Sequence, residues 1–163
     1  MSAFSKAHFD FEQLPFLTNP RKQLDTTALA LGLIKIPPGK GYTFTHKHRE
    51  QEEVYIVIEG KGVILIDGEL HEMGRGDIFR VGAEARRAVK AGDDDGMFVI
   101  CAGAVPAGYP KEKNARYLID DGVPFYDDIP PWYEGDPEVK EKNQELQKRM
   151  EKSKAKKAEK DGV

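Results

Sequence analysis

One cysteine, Cys101, is all the chain has, so no internal disulfide can staple it, and there is no Asn-x-Ser/Thr acceptor. Both absences predict a reducing compartment, and the expectation is a cytoplasmic protein. No stretch approaches the roughly 20 consecutive apolar residues of a membrane helix. The first residues, Met1-Ser2-Ala3-Phe4-Ser5-Lys6, carry no basic stretch leading into an apolar run, so no secretory signal is expected. Excess charge of one sign is also lacking: 25 Lys+Arg stand against 28 Asp+Glu, a net charge of −3. Nucleic acid is therefore not expected as a partner, because phosphate binding needs a positive field. What remains is 163 residues and 18.3 kDa, room for one domain with extensions.

Charge divides the chain. Residues 137–163 carry a net +3 and the first 136 a net −6. That tail is rich in Lys, Glu, Gln and Ala, with Val139, Leu146 and Met150 as its sizeable apolar residues before Val163. Helix propensity is high and the apolar stripe thin, which predicts a solvated helical tail. Between residues 28 and 104 the pattern is short period-two or β-branched runs cut by glycine: 29–36, 42–48, 54–58, 62–66, 77–81, 87–90 and 97–102. Asp67-Gly68 between two such runs is a strong hairpin signal. Seven short strands without intervening helical patterns predict an all-β antiparallel sandwich or barrel. Residues 105–136 have little periodicity and read as an irregular aromatic strap carrying Tyr109, Tyr117, Phe125, Tyr126, Trp132 and Tyr133. Residues 1–27 read as an extension that adds an edge strand.

Chemistry concentrates in Gly41–Gly60. His46 and His48 stand two apart on a strand, so their side chains share a face. Glu53 opens the next strand after a turn of Arg49, Glu50, Gln51 and Glu52. A hairpin of this kind can bring a carboxylate beside two imidazoles, a ligand set that suits iron, manganese, nickel or zinc. Tyr55 and Val57 share the inward face of Glu53 by alternation, and Phe44 that of His46. Cys101 ends an apolar strand and reads as an inert buried thiol. His71, after the Asp67-Gly68 turn, is expected at the surface, and His8 lies outside the barrel. Asp93-Asp94-Asp95-Gly96 lacks the alternating acids and closing Glu of a calcium loop and reads as a turn.

These residues resemble the first signature of the cupin superfamily: Gly, His-x-His, a gap of three or four, Glu, six residues, Gly. His46, His48, Glu53 and Gly60 fit it, although four residues separate Gly41 from His46 where the pattern has five. The second signature is degraded. Gly76-Asp77-Ile78-Phe79-Arg80-Val81 opens it, then Gly82 replaces Pro, Glu84 replaces Gly, Ala91 replaces Asn, and Arg87 stands where the third metal-binding His belongs. The resemblance covers about residues 28–104. It implies a small single-domain cupin, an antiparallel double-stranded β-helix (jelly-roll barrel) with a C-terminal helical extension, and a homodimer as the default assembly.

Arg87 leaves two readings open. A permanent positive charge facing inward repels a divalent ion and pairs instead with Glu53. That is a metal-free barrel binding a small ligand without turnover. Alternatively, His46, His48 and Glu53 hold the metal while Arg87 grips an anionic group of the substrate and Tyr55 donates a proton or hydrogen bond. The second reading is a small metalloenzyme of dioxygenase or isomerase type acting on a polar or anionic metabolite. In both, the partner is a small molecule, with neither nucleic acid nor membrane.

Overall fold

Alternating apolar residues become strands wherever a glycine or an acidic turn lets the chain reverse. The computed structural model describes residues 4–26, 29–104 and 122–161. Among these the order is β1 (Leu17–Thr18), α1 (Arg21–Leu24), β2 (Ala30–Ile36), β3 (Thr45–His48), β4 (Glu52–Glu59), β5 (Lys61–Ile66), β6 (Glu69–Gly74), β7 (Ile78–Val81), β8 (Arg87–Ala91), β9 (Met97–Ala104), β10 (Gly122–Phe125) and α2 (Pro137–Asp161). β5 and β6 form the hairpin around Asp67-Gly68, whose φ angles of 49° and 90° are those the tight turn demands. Gly60 also has positive φ, and a Cβ there would lie 2.0 Å from the carbonyl oxygen of Gly96, so this position excludes any side chain.

Two five-stranded antiparallel sheets face one another as a double-stranded β-helix. One runs β1-β2-β9-β4-β7 and the other β10-β3-β8-β5-β6. Ile34, Tyr55, Val57, Val81, Met97 and Val99 of the first sheet meet Ile64, Met73, Val89 and Ala91 of the second in a closed apolar core. The period-two burial of β4 places Glu53, Tyr55 and Val57 inward together.

The hairpin expected between the histidines and Glu53 does not form. β3 lies between β10 and β8, whereas β4 lies between β9 and β7 in the opposite sheet. The intervening turn crosses from one sheet to the other, because strands of both sheets must turn their inward faces onto one core. His46 and His48 therefore look at Glu53 across the interior and not along one surface.

β1 adds two residues to the edge of the first sheet, pairing Leu17 with Ile34 and Thr18 with Leu33. Phe11 packs on Phe98, ring centroids 4.8 Å apart. Of the strap's aromatics, Tyr109 and Tyr117 lie outside the described residues. Within them, β10 pairs along β3, Tyr126 packs at a tilt against Phe44, and the Trp132 indole N–H donates to the Tyr42 carbonyl. The strap thus contains a strand that the aperiodic sequence does not announce, since Pro124 and two small or half-buried neighbours leave little alternation to read.

α2 starts where Asp136 Oδ1 accepts hydrogen bonds from the backbone N–H groups of Glu138 and Val139, with Pro137 at the first position. The helix is anchored through buried Val139 and Asn143. Asn143 donates to the carbonyls of Thr43 and Tyr126, at 2.8 and 3.0 Å, so a polar residue supplies what the thin apolar stripe lacks.

Candidate metal-binding site

Four strands build the site. β3 supplies His46 and His48, and β8 supplies Arg87, directly opposite His46 in the register, so both side chains leave the same face. β4 supplies Glu53 from the other sheet, and β9 backs it with Gly103, its register partner. The two imidazoles meet edge to face with ring centroids 5.5 Å apart.

Glu53 is the centre of this group. Its Oε1 accepts from Gln51 Nε2 at 3.1 Å and lies 3.3 Å from His48 Nε2. Its Oε2 accepts from the Tyr55 hydroxyl at 2.6 Å, and lies 3.4 Å from Arg87 Nε and 3.9 Å from His46 Nε2. The side chains of His46, His48 and Glu53 keep 19, 11 and 11% of their surface in contact with solvent, whereas Arg87 keeps none. The group is therefore a polar layer at the edge of the core, reached from outside through His46.

The Arg87 guanidinium is held by a loop. Nη1 donates to the carbonyls of Ala85 and Ala83 at 2.8 and 3.3 Å, and Nη2 to that of Gly82 at 3.4 Å. The same loop is tied to β3 by the His48 amide, which donates to the Ala83 carbonyl, and by the Lys47–Glu84 ion pair at 2.6 Å. Arg87 thus joins the 82–85 loop, β8 and Glu53.

Protonation follows from this geometry. Burial, helped by the charges of Arg87 and His48, outweighs the attraction of Glu53 and lowers the His46 imidazole to about 4, so it is neutral at pH 7. Burial alone would raise the Glu53 carboxyl, but the hydrogen bond with His48 and the positive charges around it hold it well below the usual carboxylate range. The Tyr55 hydroxyl is pushed up by burial and by Glu53, and remains a proton donor. The Cys101 thiol, across from Tyr55 in the register, is also pushed up by burial, as an inert thiol should be.

A neutral imidazole and an ionised carboxylate are the forms that bind a divalent ion. One ligand atom from each of His46, His48 and Glu53 lies within 4.8 Å of the other two. Donors on one ion at bond lengths of about 2.0–2.2 Å stand no more than roughly 4.4 Å apart, so small rotamer changes bring the set to bonding distance. The donor set fits such an ion; Arg87, beside the same carboxylate, is its competitor.

Gln51, which reads in the sequence as one residue of a turn, is buried and belongs to the site. Its signal is its place two residues before Glu53, which extends the inward alternation 51, 53, 55. His71 is at the surface, 4.0 Å from Glu69. His8 lies in the N-terminal segment, apart from this group.

Residues 32–103 match the family model described as a cupin domain. A cupin protein from Bacteroides fragilis is 27% identical and superposes with a TM-score of 0.61, over 71% of this chain and 98% of that one. A cupin 2 conserved barrel domain protein from Salinispora arenicola shares the fold, with a TM-score of 0.54, 17% identity and coverage of 65 and 92%. An uncharacterised protein of Methanocaldococcus jannaschii is 27% identical over 71 residues, 44% of this chain, and the match spans 57% of that relative's length.

Proposed function

We propose, from the match of residues 32–103 to the cupin domain model, that the chain binds a divalent ion (iron, manganese, nickel or zinc) through His46, His48 and Glu53 and acts on a small polar or anionic metabolite there. The observation that carries this reading is the convergence of three donors from two different sheets onto one partly solvent-accessible point, with His46 neutral and Glu53 ionised. A bound ion supplies Lewis-acid or redox chemistry and leaves positions for substrate. The protein's part is to keep His46 neutral, to orient Glu53 through Gln51, Tyr55 and Arg87, and to exclude bulk water from the apolar side. In this reading Arg87 and Tyr55 influence the substrate through Glu53, since their polar groups are directed at Glu53 and the 82–85 loop.

A second reading is a metal-free barrel that binds a small ligand. It is favoured by Arg87 Nε standing 3.4 Å from Glu53 Oε2, where the guanidinium balances the carboxylate without an ion. Elemental analysis of protein prepared without a polyhistidine tag separates the two. About one metal per chain, lost in His46→Ala, supports the metal centre. No metal after reconstitution with each of the four ions sinks it and leaves the second reading. A homodimer belongs to both readings and is checked by light scattering.

A further inference from the structure

Gly103 lies across from Glu53 in the β4–β9 register, and a Cβ added to it would come within 2.5 Å of both Cδ and Nε2 of Gln51. Gln51 is 5% exposed, and that same Nε2 donates to Glu53 Oε1 at 3.1 Å. Tyr55 donates to the other oxygen, Oε2, at 2.6 Å. The two donors sit two residues before and two residues after Glu53, Gln51 just ahead of β4 and Tyr55 within it, and each holds one carboxylate oxygen. The missing side chain at 103 makes the space in which the Gln51 amide reaches its oxygen.

We propose that Gln51 and Gly103 act together as positioning residues: Gly103 seats the Gln51 amide, and the amide fixes the rotamer of Glu53 that faces His46 and His48. This rests on the metal reading above. A carboxylate with both oxygens held by neutral donors loses little rotational freedom when it takes up an ion, and partners of this kind typically change metal affinity about 10–100-fold. The three atoms nearest a Cβ at 103 all belong to the Gln51 side chain, so the effect of a side chain there is expected to pass through Gln51. The cramped atoms are the far end of a flexible side chain, so a methyl group at 103 displaces the amide and leaves the barrel folded.

The test is a double-mutant cycle of Gly103→Ala and Gln51→Met, reading Zn²⁺ affinity by competition with a chromophoric chelator and the visible spectrum of bound Co²⁺. Met keeps the length of Gln and removes its donor. Each single variant should weaken Zn²⁺ about tenfold or more and alter the Co²⁺ spectrum, and the double variant should be no weaker than Gln51→Met. Equal affinity in Gln51→Met and wild type, or additive losses in the double variant, overturns the proposal while the metal centre stands. A wild-type protein that takes up no Zn²⁺ overturns the metal reading and this proposal with it. If Gly103→Ala fails to fold, the claim that it acts through the Gln51 amide is lost.

Discussion

Arg87 Nε and Glu53 Oε2 stand 3.4 Å apart across the interior, one on each sheet, with the arginine wholly buried. The pair spans the two layers at the level where the apolar core gives way to the polar group. A buried guanidinium here serves two partners at once: Nε faces the carboxylate, and its Nη atoms tie down the carbonyls of the 82–85 loop.

Replacing Arg87 with Met should therefore destabilise the protein by about 3–5 kcal/mol, since the buried Glu53 loses its charge partner and the loop carbonyls lose their donors. Lys should rescue little, because one ammonium cannot face Glu53 and span three carbonyls together. Urea denaturation of the two variants checks both statements, and a loss below about 1 kcal/mol in Arg87→Met would contradict them.

The metal-free protein should be acid-labile in a defined window. His46 ionises at about 4 in the fold and near 6.5 when free, so between those values the unfolded chain binds the additional proton. The stability that depends on neutral His46 is complete above about pH 6.5 and is lost as pH falls toward 4. Glu53, whose folded value is depressed, adds a loss of the same sign below its unfolded value of 4.5. Urea midpoints should fall steadily through this range, and His46→Phe should flatten the portion above about pH 4.5. An unchanged slope in that variant would assign the acid loss to other groups.

Asn143→Ala should loosen α2 without unfolding the barrel. The substitution leaves the carbonyls of Thr43 and Tyr126 without the amide that reaches them from the helix, at a cost of about 1–3 kcal/mol. Hydrogen exchange should show faster exchange through Val139–Met150 while the amides of β4 and β9 keep their protection. Equal loosening of helix and sheets would mean that α2 is integral to the core.

Much of the site is legible in the residues themselves. The His46-x-His48 spacing gives one strand face, Glu53 begins an alternation that buries Tyr55 and Val57, and Gly60 marks a turn that excludes a side chain. Gln51 escapes because turn composition around it, Arg49 to Glu52, masks its place in the same alternation. Asn143 escapes because a polar residue on a charged helix carries no hydrophobic signal, although it provides the helix's buried anchor. β10 escapes because Pro124 and its neighbours do not alternate.

The sequence by itself determined the class of the fold and the side-chain types of the candidate site, since period, turn residues and side-chain chemistry are local properties. Tertiary structure decided what those side chains face. That β3 and β4 part into opposite sheets, that His46 lies opposite Arg87, and that Gly103 opens the space for Gln51 are consequences of non-local pairing. No local pattern encodes them, because each depends on which strands the closing barrel brings together.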